Sequence, residues 1–134
     1  MTTQPSGGYD LDALQRFLAE YGFAVGAGDH EELTSRFNLP ALVVGQDSST
    51  LVSSPEEVLA LSRDRPGADR ARDAVATVPE VVSIEEVGWG LLWVDVRWSY
   101  RDEYAAETTA ERYRYLLRRG RDTFEVCVLV PLPD

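Results

Sequence analysis

Apolar residues recur at helical spacing early in the chain, where Leu11, Leu14, Phe17, Leu18, Tyr21 and Val25 fall on one stripe. Asp10 stands where an N-cap belongs, so the spacing predicts a first helix over roughly 11–25. Gly26 and Gly28 stop it. Asp29 followed by Glu32 offers a second cap, for a short helix that ends near Phe37 and is closed by Pro40. The apolar run 41–45 predicts a strand, with 50–52 as its hairpin partner across Asp47-Ser48-Ser49. Ser54-Pro55-Glu56-Glu57 opens a third helix: serine at the cap, proline at the first helical position and glutamate three residues after the cap satisfy the amides that a helix start leaves unpaired. Val58, Leu59 and Leu61 form its buried side, and the run 63–67 ends it. Residues 68–78 read as a helical turn or a loop.

From Val81 the period changes from helical to alternating. Strands are predicted over 81–87, 91–101, 110–118 and 123–130, joined by Gly88-Trp89-Gly90, by a polar stretch at 102–109 and by Arg119-Gly120-Arg121-Asp122. Such connections make an antiparallel meander. In the second of these strands Leu92, Val94, Val96, Trp98 and Tyr100 point one way, and Trp93, Asp95, Arg97, Ser99 and Arg101 the other. In the third, Tyr113, Tyr115 and Leu117 oppose Arg112, Arg114 and Arg118; in the fourth, Phe124, Val126, Val128 and Val130 oppose Glu125 and Cys127. One face is greasy and the other mixed, and three helices are available to cover the greasy one. The expected architecture is one α+β domain over 10–134, its mostly antiparallel sheet curled around an apolar pocket, with 1–9 a frayed polar tail.

Composition narrows the function classes. A formal charge of -10 repels phosphate backbones, which argues against a nucleic-acid partner. All 13 basic residues are arginine, so Schiff-base chemistry, lysine general bases and the phosphate-loop lysine are excluded. Cys127 is the single cysteine, so neither an intrachain disulfide nor a cysteine zinc site can form, and a cytoplasmic location follows. No signal peptide or membrane-length apolar run is visible. The Arg-, Ala-, Val- and Gly-rich usage points to a GC-rich bacterial genome.

The order of two helices, a short hairpin, a third helix and a long meander resembles the NTF2-like (SnoaL-like) superfamily of cone-shaped α+β proteins, over residues 11–131. The residues that carry the resemblance are Ala27-Gly28-Asp29, Phe37-Asn38-Leu39-Pro40, Ser54-Pro55-Glu56-Glu57, the strand 91–98 and the closing strand 123–130. It implies a homodimer formed through the sheet and a cone that holds a small hydrophobic molecule. Some members are ketosteroid isomerases, dehydratases or polyketide cyclases, and many are non-catalytic. The sequence departs from the enzymes' patterns. His30 is its only histidine, so dehydratase-type histidine pairs are absent, and Leu42-Val43-Val44 occupies the strand position where an isomerase has its basic aspartate.

Asp95 and Tyr21 are the weak catalytic candidates. Burial beside Trp93 would raise the Asp95 pKa toward that of a general base, but pairing with Arg97, Arg112 or Arg114 is the favoured reading. Tyr21, Tyr113 and Tyr115 could donate to a ligand oxygen, or cap a core with their hydroxyls at its edge. His30 is expected to face solvent, Cys127 to be a buried or interface thiol, and Glu103, Glu107 and Glu111 to form a solvated loop face. Trp93 on a mixed face, with Arg112 and Arg114, has the character of a dimer anchor. The expected pocket is lined by Phe17, Tyr21, Trp98, Tyr100, Tyr113 and Tyr115. No metal or cofactor is implied. Many aromatics and few acid–base groups favour a ligand-binding module; the alternative is an isomerase, dehydratase or cyclase with Asp95 as base.

Overall fold

A computed structural model describes residues 10–64, 73–120 and 123–133, apart from the side chains of His30 and Asp64. The expected tail, residues 68–72 of the 68–78 segment, residues 65–67 of the run expected to end the third helix, and the Arg121-Asp122 turn lie outside the described residues. Helix α1 (Leu11–Ala27) is followed by α2 (His30–Ser35), β1 (Phe37–Val44), β2 (Ser49–Val52), α3 (Pro55–Asp64), β3 (Ala76–Gly88), β4 (Leu91–Arg101), β5 (Glu107–Arg119) and β6 (Phe124–Leu132). The strands form one six-stranded sheet in the order β2-β1-β6-β5-β4-β3. Every pairing is antiparallel except β1 with β6, so the α+β fold carries a curved, mixed sheet.

Each helix start is capped as its sequence predicts. The Asp10 carboxylate accepts from the Asp12 amide at 2.9 Å, and that of Asp29 from the Glu32 amide at 3.2 Å. Ser54 and Glu57 cap α3 reciprocally: the Glu57 amide donates to the Ser54 hydroxyl at 3.2 Å, and the Ser53 amide donates to the Glu57 carboxylate at 2.8 Å. The stripe Leu14, Phe17, Leu18 and Tyr21 of α1 is buried with Leu92, Val94, Val96 and Leu117 of the inner sheet face. Burying each such side chain contributes about 1.5–3 kcal/mol, which makes this helix-on-sheet layer the main source of stability.

Several boundaries differ from expectation. Helix α1 runs through Gly26 to Ala27, and Gly28 alone, at φ +69°, caps it in the left-handed conformation. Helix α2 stops at Ser35, and Phe37 already belongs to β1, so Pro40 closes no helix. Pro40 lies within that strand after a cis peptide bond, in the interval between Phe37↔Val126 and Leu42↔Val128 where the ladder with β6 is irregular and a missing N–H is tolerated. Strand β3 begins at Ala76, five residues before the alternation becomes plain. In β6, Leu117 faces Val126 while Leu116 faces Val128, so Cys127 is an extra residue in a bulge. The bulge reverses the phase: Leu129 and Pro131 turn inward, and Val128 and Val130 turn outward with Leu116 and Arg114.

Candidate functional site

The concave sheet face and the helices enclose a cavity of about 590 Å³. Trp98 and Tyr100 of β4, Tyr113 and Tyr115 of β5, and Leu129 and Pro131 of β6 form its floor. Tyr21, Gly22 and Val25 of α1 and Val58 and Leu61 of α3 form its walls. Strand alternation explains the floor: the pairs Val94↔Tyr115, Val96↔Tyr113 and Trp98↔Glu111 all sit on one face.

The aromatic rings hold one another in place. Tyr21 stacks on Trp98 with ring centres 5.9 Å apart and meets Tyr115 edge-on at 5.7 Å; Tyr113 stacks on Tyr115 at 6.0 Å. The Trp98 indole N–H donates to the Tyr115 hydroxyl at 2.8 Å. Burial pushes the Tyr115 phenol well above its ordinary range, so it stays protonated. Gly22 makes room for the indole: a Cβ there would lie 2.8 Å from a Trp98 ring carbon.

Polar chemistry on the wall centres on Glu111, whose carboxylate accepts from the Tyr100 hydroxyl at 2.6 Å. Glu111 is the one acidic residue among the described lining residues. It is therefore not part of a solvated loop. Strand β5 starts at Glu107, which places Glu111 inside the strand opposite Trp98. The signal was present in the alternation Tyr113, Tyr115, Leu117, which reaches Glu111 and Thr109 when extended backward. Thr109 also lines the cavity, as does Thr77.

Of the residues expected at the pocket, Tyr21, Trp98, Tyr100, Tyr113 and Tyr115 come together there. Phe17 does not: it lies one turn earlier in α1, packed in the core 6.1 Å from Tyr21 and 6.0 Å from Phe124. Asp95 lies on the opposite face of the sheet, away from the cavity. Its carboxylate receives the Arg112 guanidinium, Nε at 3.3 Å and Nη2 at 2.5 Å, and is only 7% exposed. That geometry is a cross-strand ion pair, and it leaves Asp95 out of reach of a ligand in the cone. Trp93, Arg112 and Arg114 share this outer face, with the Arg114 guanidinium 5.9 Å from the Trp93 ring. Farther along it Arg97 donates to Glu107 at 2.8 and 2.6 Å and to Glu80 at 3.0 Å, and Ser99 donates to Glu107 at 2.6 Å. Arg97, then Ser99, holds the Glu107 carboxyl down at about 2, and the bonds to Glu107 and Glu80 raise Arg97.

Cys127 is half-buried at the β6 bulge, where burial pushes its thiol up, the opposite of an activated nucleophile. His30 opens α2, and its side chain is not among those described. Among the described residues no three His, Cys, Asp or Glu side chains cluster as a metal site, and no helix is long and apolar enough to cross a membrane.

Comparison with known proteins points to one fold. The family described as NTF2-like protein (DUF6841) matches residues 12–134. An NTF-2 like protein of unknown function from Shewanella oneidensis is 14% identical with a TM-score of 0.64, over 90% of this chain and 97% of that one. A domain of unknown function with a cystatin-like fold from Nostoc punctiforme is 17% identical with a TM-score of 0.66, over 93% and 77%. A ketosteroid isomerase-like protein from Erwinia carotovora atroseptica is 10% identical with a TM-score of 0.57, over 92% and 97%. At these identities the likeness concerns the fold alone. No curated protein matches the sequence.

Proposed function

The chain belongs to the family of NTF2-like proteins (DUF6841), and from that premise we propose that its cavity binds a small, apolar, ring-bearing molecule and catalyses no reaction on it. The observation that carries this reading is the convergence of Tyr21, Trp98, Tyr100, Tyr113 and Tyr115 on a cavity of about 590 Å³, a size and lining typical of small-molecule sites. Support also comes from Asp95, whose ion pair on the outer face removes the strongest acid–base candidate from the site. Titration with 2-naphthol, followed through tryptophan fluorescence, tests the reading. Saturable binding that weakens several-fold in Tyr113→Ala supports it; absence of saturable binding by a panel of two- and three-ring compounds overturns it.

One observation favours a second reading, an isomerase-, dehydratase- or cyclase-like enzyme: Glu111 and Tyr100 place a carboxylate and a phenol 2.6 Å apart on the cavity wall. In that reading Glu111 replaces Asp95 as base. A turnover that disappears in Glu111→Gln while the fold persists would establish it.

The proposal includes a homodimer through the outer sheet face, where Trp93 and Arg114 lie beside the half-buried Leu116, Val128 and Val130. The proposed location is the cytoplasm.

A further inference from the structure

The inward-facing rungs of the sheet change character along the cavity. At one rung Trp98 packs against Gly22 and donates to the Tyr115 hydroxyl, so its polar atom is spent within the protein. Two residues on, the ladder sets Thr77 of β3 and Thr109 of β5 directly opposite Tyr100, one on each side. Directly opposed residues share a face, and both threonines line the cavity, half-buried. A threonine side chain is stiff at χ1, so the strand backbone fixes each hydroxyl in place. Each hydroxyl carries one donor and two acceptor positions, enough to serve a ligand hydroxyl or carbonyl. The Tyr100 hydroxyl between them is committed to Glu111 at 2.6 Å. Arg112, the one basic residue among the described lining residues, is held by Asp95 on the far face, so its charge is not offered to a ligand anion.

From this rung, and resting on the binding reading above, we infer that the cavity selects a ring-bearing ligand with a neutral oxygen, a hydroxyl or a carbonyl, at one end. The rings lie toward Trp98, Tyr21 and Tyr115, and the oxygen meets the hydroxyls of Thr77 and Thr109. A purely apolar ligand strips water from those hydroxyls and returns no hydrogen bond. The rung thus discriminates through the cost of burying unpaired polar groups. A net charge of -10 repels carboxylates and phosphates, which disfavours an anionic oxygen in the same place.

The test measures three two-ring probes on the full chain at pH 7 by equilibrium dialysis: 2-naphthol (neutral oxygen), 2-methylnaphthalene (no oxygen) and 2-naphthoate (anionic oxygen). The double variant Thr77→Val, Thr109→Val keeps the side-chain shape and the strand preference while removing both hydroxyls. It should weaken 2-naphthol roughly tenfold and leave 2-methylnaphthalene within about twofold of its affinity for the unaltered protein. Thr77→Ser, Thr109→Ser retains the hydroxyls and should hold 2-naphthol within about threefold. An undiminished affinity for 2-naphthol in the valine variant overturns the oxygen preference while the cavity remains a binding site. So does an equal loss for 2-naphthol and 2-methylnaphthalene. On the unaltered protein 2-naphthoate should bind more weakly than 2-naphthol; equal or tighter binding overturns the restriction to a neutral oxygen, and this comparison needs no variant. Absence of saturable binding by all three overturns both the preference and the binding reading.

Discussion

The two faces of strands β4 and β5 are made from alternate residues of the same short sequences, and they solve opposite problems. The inner face puts Trp98, Tyr100, Tyr113 and Tyr115 around a cavity, and its polar atoms, the Trp98 N–H and the Tyr100 hydroxyl, reach partners on the same face. The outer face carries Asp95, Arg97, Ser99, Glu107 and Arg112 joined across strands. On the inner side shape does most of the work, because close packing tolerates little change in volume. On the outer side charge geometry dominates, and Arg97, Arg112 and Glu107 are exposed enough for water to share the load, while Asp95 and Ser99 are buried beneath them. A substitution should therefore have very different consequences one residue apart.

The largest effect is expected at Trp98. Trp98→Ala removes the cavity floor and the donor to the buried Tyr115 hydroxyl, with a cost of about 3–5 kcal/mol in urea unfolding. Gly22→Ala comes next. Helix propensity alone would favour alanine by about 1 kcal/mol, whereas a Cβ 2.8 Å from the Trp98 ring should reverse the sign and destabilise by about 1–3 kcal/mol in thermal unfolding. A gain in melting temperature would show that the indole can retreat and that the inner face is less rigid than its contacts imply.

The outer face should respond through assembly and pH. Leu116→Arg is expected to leave the fold intact, within about 0.5 kcal/mol, while converting the proposed dimer to monomer in sedimentation velocity; an unaltered protein that sediments as a monomer overturns the proposed dimer. Smallest is the acid response of Glu107. A carboxyl held at about 2 when folded, against an ordinary 4.5, adds stability that is fully present above about pH 4.5 and is lost as pH falls toward 2. Glu107→Gln should flatten that part of the acid unfolding curve. An unchanged curve would mean that Arg97 keeps equivalent company through Glu80.

What the sequence disclosed and what it concealed divide along the range of the interactions involved. Helix α1, the Ser54–Glu57 box and the alternation of β4 are set by neighbours a few residues away, so periodicity alone reveals them. Tyr21, Trp98, Tyr113 and Tyr115 were legible for the same reason. The start of β1 was not, because Phe37 and Asn38 are held by β6: Phe37 pairs with Val126, and the Asn38 amide donates to Glu125 at 2.9 Å. No local pattern announces a partner that distant. The inward turn of Leu129 and Pro131 depends on a bulge that exists only in the pairing with β5. Glu111 escaped notice although it falls inside the predicted strand 110–118, because an acidic side chain beside Glu103 and Glu107 reads as a solvated face and not as a pocket wall. The favoured ion-paired reading of Asp95 is present, but only the folded sheet shows that Arg112, two pairs along from the directly opposed Arg114, is the partner.

The place of β6 bears on how the chain assembles. It is the last strand in sequence and lies between β1 and β5, so it alone joins the β2–β1 hairpin to the β5–β4–β3 meander. During synthesis the meander can form as soon as β5 emerges, but the first hairpin has no sheet to join until residues up to Leu132 are available. The parallel β1–β6 contact closes a loop of about two-thirds of the chain, the kind of non-local pairing that slows folding. The cavity floor takes Leu129 and Pro131 from β6, so a closed cavity is the final product of that order, and a nascent chain would present its aromatic floor before β6 completes it.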